Sequence, residues 1–249
     1  MNELEAIAQR KSRRSYLETP IEYGKLNVIQ KFIDIYNQEA NLSIRLIRDG
    51  SKAFNSFKKS YGLFKGVKTL IALAGKKDDI HLKEKIGYYG EFLILEATKM
   101  KLGTCWVGGT FDSRNSIFAT AGDEKLVIVI TIGNVTEETL KDKIIHNFIA
   151  RKKKELNEFY TTDSPAPKWV IKGLESVQKA PSAVNRQPVK FEYKASELRA
   201  FVEDSYQFDL IDLGIAKAHF SIATGGHFEL GNYGKFIPNH SEGGVEGTS

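Results

Sequence analysis

Two polar motifs about 170 residues apart place the strongest constraint on how this chain can fold. The first is a basic segment near the N-terminus, Arg10-Lys11-Ser12-Arg13-Arg14. The second is a loop bounded by prolines, and residues 179–188 read Lys-Ala-Pro-Ser-Ala-Val-Asn-Arg-Gln-Pro. A fold in which both motifs serve one ligand has to bring together residues from opposite ends of the chain.

Composition indicates an ordinary globular protein. The chain has 249 residues, which is enough for one large domain or for two fused small domains. The hydrophobic fraction of 41% and the charged fraction of 27% are unexceptional. The net charge of +5 favours anionic ligands such as phosphates, but it is too small to indicate nucleic acid by itself.

Cysteine content and hydropathy bear on location. The single cysteine, Cys105, excludes an intrachain disulfide and favours a reducing compartment, so we expect a cytoplasmic protein. Residues 1–14 lack the apolar core of a signal peptide. No run approaches the roughly 18 apolar residues of a membrane span, so no membrane partner is expected. Residues 239–249 are rich in Gly, Ser and Glu and are predicted to be a disordered tail.

Apolar periodicity predicts two sets of helices and strands. Helices are predicted at 3–9, 23–38, 86–101, 141–159, 169–179 and 209–223. Strands are predicted at 42–49, 67–74, 126–133 and 189–193. Residues 161–168 contain two prolines and no hydrophobic pattern, so they are predicted to link two units, 1–160 and 168–238.

The two predicted units are weakly similar. Segment 87–94 aligns with 212–219, although this similarity alone does not establish a repeat. The two motifs are distributed in a complementary way. The first unit has the basic segment but no Pro-Ser-x-x-Asn loop, whereas the second has the loop but Ser-Pro-Ala-Pro in place of the basic segment. A chain that keeps one site shared by two units can lose one motif from each.

The basic segment is a candidate anion site. In an extended backbone alternate side chains point the same way, so Arg10, Ser12 and Arg14 would converge on one group. Arginine suits phosphate because its planar guanidinium can bind two oxygens at once. The alternative is a solvated basic segment near a chain end, which is the usual state of a charge run.

The proline-bounded loop is a candidate contact for a flat heterocycle. Ser182 and Asn185 offer short donors and acceptors on a backbone that the prolines stiffen. Such preorganised groups suit the fixed donors and acceptors of a flavin edge. The alternative is an ordinary connection between a helix and a strand, in which Ser and Asn are common.

Residues 102–111, Leu-Gly-Thr-Cys-Trp-Val-Gly-Gly-Thr-Phe, follow the predicted core helix. The pair Gly108 and Gly109 would let the backbone approach a flat ligand closely. The alternative is a helix end followed by a turn, with Trp106 in the core.

Other reactive residue types give weaker signals. Cys105 has no activating partner beside it in sequence and is expected to be a buried apolar residue. The five histidines lack metal-ligand spacing, and His219 is expected to be a hydrogen-bonded core residue. Neither a G-x-G-x-x-G motif nor a Walker loop is present.

Together the motifs resemble the nitroreductase family, whose members carry an R-x-S-x-R box and an A-P-S-x-x-N-x-Q-P loop. Residues 102–108 are similar to the L-G-x-x-W-x-G segment of that family. The resemblance covers roughly residues 5–237 and is specific to the TM nitroreductase branch, in which two nitroreductase-like units are fused.

The resemblance implies an α+β sandwich of mainly antiparallel sheets wrapped by helices, with two core helices near a pseudo-twofold axis. It implies FMN bound between the halves of a monomer that acts as a pseudodimer. The basic box would hold the phosphate, the proline-bounded loop would contact the ring and ribityl chain, and the glycine pair would line the reactive face. The implied cofactor-binding residues are Arg10, Ser12, Arg14, Gly108, Gly109, Arg151, Lys153, Pro181, Ser182, Asn185 and Gln187.

The implied activity is hydride transfer in two half-reactions. NADH or NADPH reduces the flavin and leaves, and then a nitroaromatic compound, quinone or similar small molecule is reduced. The flavin carries this chemistry, so no catalytic side chain is expected. One alternative is a non-catalytic FMN-binding protein, or a relative of the same fold that has lost flavin. Another is a nucleic-acid-binding protein, which the lysine-rich segment 141–154 would suit only if binding fell steeply with salt.

Overall fold

The computed structural model describes residues 1–54, 63–136 and 154–239, and in these ranges it has five α-helices and nine strands. The helices are α1 (Glu3–Gln9), α2 (Tyr23–Ala40), α3 (Leu82–Lys99), α4 (Lys168–Val177) and α5 (Asp209–Thr224). The strands are β1 (Arg45–Ile47), β2 (Thr69–Lys76), β3 (Gly103–Val107), β4 (Glu124–Gly133), β5 (Tyr160–Thr162), β6 (Lys190–Lys194), β7 (Glu197–Phe201), β8 (Gly226–Phe228) and β9 (Gly234–Pro238).

The strands form a four-stranded sheet and a five-stranded sheet. The first sheet has the order β1-β2-β4-β3 and the second has β5-β6-β7-β9-β8. All pairs are antiparallel except β5–β6. When β6 to β9 are matched with β1 to β4, both halves run helix, two strands, helix, two strands, with the same strand order. The α+β class with mainly antiparallel sheets is therefore confirmed.

The first sheet is buried on both faces. One face packs against α2 and α3 in a cluster that includes Ile29, Ile71 and Leu93. The other face packs a second cluster that includes Phe118 and Val129. Strand β2 is buried along almost its whole length, as its continuous apolar sequence predicts. Each such aliphatic side chain contributes about 1.5–3 kcal/mol when it leaves water.

The second sheet packs against α4 and α5 through aromatic rings. Phe220 of α5 stacks on Phe191 of β6 with ring centroids 5.5 Å apart. Phe236 of β9 meets Phe220 edge-on at 5.1 Å. These tilted and stacked geometries are the favoured arrangements of aromatic pairs. Phe159, which precedes β5, belongs to the same cluster.

Helices α3 and α5 meet at two glycines in a reciprocal contact. A Cβ added to Gly87 would lie 2.0 Å from the carbonyl oxygen of Ile211, and one added to Gly214 would lie 2.0 Å from that of Glu84. Within this contact Gly87 corresponds to Gly214, and Glu84 to Ile211, as in an isologous twofold interface. The predicted alignment of 87–94 with 212–219 is thus two residues away from the register of these contacts.

Two sequence-based expectations near the middle of the chain need correction. Most of the helix predicted at 141–159 lies outside the described residues, but Leu156–Glu158 form a 3-10 turn because a capping pair of glutamates closes it. Tyr160–Thr162, which overlap the start of the predicted linker, form β5 and pair with β6. Strands β3, β7, β8 and β9 were missed, so residues 103–107 form a strand rather than a turn after the core helix. The predicted tail lies outside the described residues beyond 239.

Candidate functional site

The basic segment forms an extra strand-like edge beside β3. Helix α1 ends at Arg10, where the backbone turns to an extended conformation. Ser12 pairs with Thr104 in a parallel bridge, and the Arg13 amide donates to the Thr104 carbonyl at 2.7 Å. Farther along, the Lys65 amide donates to the Arg14 carbonyl at 2.9 Å. Backbone hydrogen bonds on both sides therefore set the register of the box.

Alternation in this segment separates its side chains into two sets. Arg13 donates to the carbonyl of Thr136 at 2.8 Å. The predicted phosphate ligands Arg10, Ser12 and Arg14 occupy the alternate positions of the segment. Burial raises the pKa of the nearby Cys105 thiol, while the charges of Arg14 and Arg10 and a hydrogen bond with Ser12 oppose the rise. That the three side chains bind one common ligand stays a prediction.

Arg10 reaches from the box to a buried carboxylate on α3. Its Nε lies 3.7 Å from Oε1 of Glu91, whose side chain is fully buried. Trp106 of β3 donates its indole N–H to the other oxygen of Glu91 at 2.9 Å. Among the described residues, the buried Nε of Arg10 has no hydrogen-bond partner. A buried donor without a partner is costly, and an added anion could supply one.

Glu91 also ties the two halves together through His219 of α5. His219 Nδ1 lies 3.1 Å from the carbonyl of Ser176, and its Nε2 lies 3.0 Å from Oε1 of Glu91. A carbonyl only accepts, so Nδ1 must carry a hydrogen. Oε1 of Glu91 thus faces both Arg10 of the box and His219 of α5. His219 is the hydrogen-bonded core residue that the sequence predicts.

The proline-bounded loop has a tight, left-handed backbone. After Pro181 the chain makes a 3-10 turn at Ala183–Asn185. Val184, Asn185 and Gln187 have φ of 46°, 56° and 49°. This region is unfavourable for residues other than glycine, and most of all for a β-branched residue such as Val184.

Internal hydrogen bonds hold the loop in this shape. The Gln187 amide donates to Oγ of Ser182 at 2.9 Å, and the Gln187 side chain donates to Oδ1 of Asn185 at 3.2 Å. Lys154 donates to the Gln187 carbonyl at 2.7 Å. Gln187 is buried, so within the described structure it organises the loop rather than presenting its amide to solvent.

Two acidic residues on the first turn of α5, Asp209 and Asp212, bond to the loop. The Ala183 amide lies 3.1 Å from both carboxylate oxygens of Asp212. Burial raises the pKa of Asp212 to about 7, and the charge of Asp209 adds to the rise. Arg186 donates to Asp209 at 3.1 Å, and its guanidinium lies 4.6 Å from the ring centre of Tyr206. Sequence patterns did not single out Asp212, because its partner lies on another element.

The glycine pair lies just past the end of β3, and its two members differ. A Cβ on Gly108 would lie 2.3 Å from the ring of Phe208, whereas one on Gly109 would meet nothing within 4 Å. Phe208 packs edge-on against Tyr206 at 5.4 Å, and Arg186 of the loop covers Tyr206. The glycine pair is therefore linked to the loop through two aromatic rings. Open space for a ligand exists at Gly109 rather than at Gly108.

Strand β3 connects the box with the glycine pair. The box pairs at Thr104, and Gly108 lies four residues farther along, which at about 3.3 Å per residue is roughly 13 Å. The candidate site therefore follows β3 from the box to the glycine pair and continues to the loop. Arg151 and Lys153 lie outside the described residues. Their neighbour Lys154, which was not predicted to take part, bonds the loop, and burial lowers its pKa.

Two other kinds of function find no support among the described residues. In those ranges, no cluster of three or more His, Cys, Asp or Glu side chains could hold a metal ion. None of the described helices is long and apolar enough to cross a membrane. Cys105 is buried, as expected for a lone cysteine.

Two similar antiparallel sheets around paired core helices, with a basic edge and a polar loop, define a nitroreductase-type α+β protein. The family model described as "Putative TM nitroreductase" matches residues 2–224, so the chain belongs to that family. No curated protein sequence matches the chain.

Several solved structures are similar to this chain, and the first of them supports the fold. A nitroreductase from Thermotoga maritima MSB8 is 23% identical, with a TM-score of 0.60 over 95% of this chain and 92% of that one. A nitroreductase family protein from Clostridium difficile 630 is 19% identical, with a TM-score of 0.48 over 64% of this chain and 96% of that one. A nitroreductase with bound FMN from Bacteroides fragilis NCTC 9343 is 16% identical, with a TM-score of 0.44 over 56% and 92%.

Proposed function

We propose that this chain is an FMN-dependent oxidoreductase that transfers hydride from NADH or NADPH to a small electrophilic acceptor, such as a nitroaromatic compound or a quinone. The observation that carries the proposal is the basic segment with Arg10, Ser12 and Arg14, which pairs with β3 through the Ser12–Thr104 bridge and the bond from the Arg13 amide to the Thr104 carbonyl. Membership of a nitroreductase family supports it.

The residues present fit the phosphate end of FMN. The buried Nε of Arg10 lacks a hydrogen-bond partner among the described residues, which is a feature that a bound anion would relieve. A hydroxyl and two guanidinium groups supply the charge and the directional donors that a phosphate needs. Arg151 and Lys153 are proposed as further phosphate contacts.

The remaining site residues would position the ring. Bound FMN would supply the redox chemistry, by accepting a hydride and passing it on. Pro181, Ser182 and Asn185 belong to a loop that is already folded, so little ordering would be needed on binding. Gln187 would act by holding Asn185. Gly109 would leave one face of the ring open to the nicotinamide and then to the acceptor.

We further propose that one chain performs the task of two subunits. The box belongs to the first half and the loop to the second, and the halves share a strand order and a reciprocal contact at Gly87 and Gly214. A monomer would then hold one complete site. The single buried cysteine suits a cytoplasmic location.

An absorbance spectrum of the purified chain tests the cofactor. We expect a yellow protein with one FMN per chain, released on denaturation and counted against protein. Two FMN per chain would contradict the shared site. No flavin after incubation with excess FMN would overturn the proposed function.

Anaerobic addition of NADH or NADPH tests the reaction. Loss of the yellow absorbance, and its return when a quinone or nitroaromatic compound is added, is the expected result. A bound flavin that neither nucleotide reduces would instead identify a non-catalytic FMN-binding protein.

A further inference from the structure

The carboxylate of Asp212 has one partner, and that partner belongs to the candidate cofactor loop. Among the described residues, both of its hydrogen bonds come from the Ala183 amide, 29 positions away in the chain. Asp209, on the same helical turn, contacts the loop only through the Arg186 side chain, and it otherwise accepts from the amides of Ser205 and Tyr206 just before α5. The two acids of this turn therefore have different tasks.

The loop that Asp212 holds needs external support. Val184 is 74% exposed and has a left-handed φ of 46°, so little burial compensates for its strained backbone. Ser182, immediately before Ala183, is extended. The Ala183 amide is thus the point at which the strained turn is fastened to the rigid helix α5.

Asp212 is buried at the cost of stability. It lines a small crevice under the loop together with Phe159, Val177 and Ala216, and it is 4% exposed. Burial of a carboxylate favours its protonated form, and here it raises the pKa to about 7. Among residues 1–54, 63–136 and 154–239, no cationic side chain bonds Asp212 directly, and a buried charge in such surroundings is a feature that stability alone does not favour.

The described charged groups around Asp212 offset its charge only in part. Asp209 on the same helix raises the pKa of Asp212 further, whereas Arg186 on the loop opposes the rise while it is itself bonded to Asp209. Lys154, from the segment before β5, reaches the Gln187 carbonyl instead. On the side of α3 the ionisable groups are already paired, Glu84 with Lys217 and Glu91 with His219.

We propose that Asp212 is a positioning residue that fastens loop 181–188 in its cofactor-binding conformation through the Ala183 amide, and that it loosens the loop when it takes up a proton. The inference rests on the proposed FMN site. Its physical basis is that a charge-assisted hydrogen bond is roughly twice as strong as a neutral one. Ionised Asp212 therefore holds the strained turn more firmly than the neutral acid does.

Asp212→Asn separates this role from a purely structural one, because stability and binding move in opposite directions. At pH 8 the variant should be more stable, with a Tm higher by about 5–10 °C, since the buried charge is gone. The stability gain should shrink as the pH falls through 7, because wild-type Asp212 then takes up its own proton in the folded state. FMN should nevertheless bind about 10-fold more weakly at pH 8.5.

The ratio of the two dissociation constants tests the proton dependence. The phosphate of FMN itself titrates near pH 6 and changes the Kd of both proteins. At each pH, the Kd of the variant is therefore divided by the Kd of the wild type. The ratio of variant to wild-type Kd should fall from about 10 at pH 8.5 to about 1 at pH 5.5, where both side chains are neutral. A ratio that does not change with pH would overturn the proposal. Glu203→Gln, an exposed acid before α5, is the matched control and should change neither Kd nor Tm.

Amide exchange in the flavin-free protein gives a readout that does not depend on the proposed function. At pH 8, the Ala183 and Gln187 amides should exchange about 10-fold faster in Asp212→Asn than in the wild type. Unchanged exchange would overturn the positioning role, even in a protein that binds FMN. Exchange that is faster in Asp212→Asn than in the wild type, found for a wild type that binds no FMN, would support the positioning role and refute the proposed cofactor.

Ala183→Pro removes the same hydrogen bond from the other side. The extended Ser182 backbone is compatible with a following proline, so the loop can accept the change. Asp212→Asn leaves a neutral oxygen that can still accept from the Ala183 amide, whereas proline removes the donor. Ala183→Pro should therefore weaken FMN at pH 8.5 at least as much as Asp212→Asn does, and the double variant should bind no more weakly than Ala183→Pro alone. Additive losses would show that Asp212 acts on some other group.

Discussion

The box and the loop are held in place by different means, although both are short polar segments at the edge of a half. Residues 10–16 are pinned by backbone pairing with β3 and with Lys65. Loop 181–188 is held by side chains, those of Ser182, Asp212 and Lys154, around a strained turn. A segment held by its backbone tolerates changes of side chain, whereas one held by side chains depends on each of them. Substitutions of Ser12 and Arg14 in the box should therefore alter binding alone, whereas Arg10 also faces the buried Glu91. Substitutions around α5 should alter the shape of the loop.

The largest effect is expected where the halves meet through charge. Lys217 and Glu84 form a buried pair with 2.5 Å between Nζ and Oε1, and Lys217 also donates to the carbonyls of Glu229 and Gly231. Lys217→Met would leave Glu84 buried without its ammonium partner, with the Gly231 amide at 2.7 Å and His81 at 3.9 Å as its remaining described contacts. The expected cost is about 3 kcal/mol in the free energy of unfolding. Urea denaturation at pH 7 measures this loss. The double variant Lys217→Met with Glu84→Gln should recover much of it, and a single-variant loss below about 1 kcal/mol would contradict the pairing.

The reciprocal glycines test whether the halves are equivalent at their contact. Gly87→Ala and Gly214→Ala each place a methyl group against a backbone oxygen that no rotamer change can move, so each should cost about 3 kcal/mol. Thermal unfolding of both variants checks the expectation. Gly24→Ala in α2, where nothing lies within 4 Å, should instead stabilise by about 0.5–1 kcal/mol. Clearly unequal costs at 87 and 214 would break the pseudo-twofold relation.

Arg14→Ala tests the box without disturbing its backbone. Loss of one charged partner should weaken FMN by roughly 10- to 150-fold, which corresponds to about 1.5–3 kcal/mol. Riboflavin lacks the phosphate, so its affinity should be unchanged. Fluorescence titration with both ligands measures the difference. Equal weakening of both would mean that the box acts on the fold rather than on the phosphate.

The smallest effect is expected from relief of strain in the loop. Val184→Gly removes a left-handed β-branched residue that is mostly exposed, so the flavin-free protein should gain about 1 kcal/mol of stability. Val28→Gly in α2 is the matched control and should destabilise, because that valine is helical. Chemical denaturation compares the two. A destabilised Val184→Gly protein would show that the loop is not strained.

Long apolar patterns predicted the fold well, because their information is local. The continuous apolar runs at β2 and β4 and the apolar helices α3 and α5 all lie where periodicity places them. Strands β8 and β9 were missed, since they are short and gain their order from packing around Phe220. The turn at Leu156–Glu158 resembles a helix in composition, but its packing around Phe159 leads the chain into β5.

For the site, the sequence predicted which segments take part better than it predicted the role of each residue in them. The motif placed Arg10, Ser12 and Arg14 in one segment, and the structure pairs that segment with β3, but their convergence on one ligand stays a prediction. Asp212 and Phe208 were missed, since each matters through a residue on a distant element, Ala183 and Gly108 respectively. The cofactor contacts of all these residues stay predictions.

The reciprocal contact of α3 and α5 has a consequence for which helix can pair with which. In the register set by Gly87 and Gly214, Glu84 corresponds to Ile211, and Lys217 corresponds to Gly90. Two identical copies of α3 would face each other with two buried acids, and two copies of α5 with two buried ammonium groups, both of which are costly. One chain that encodes both helices carries each charge once and matches them. The charge pair therefore favours the contact of α3 with α5 over contacts of α3 with α3, or of α5 with α5, between neighbouring molecules.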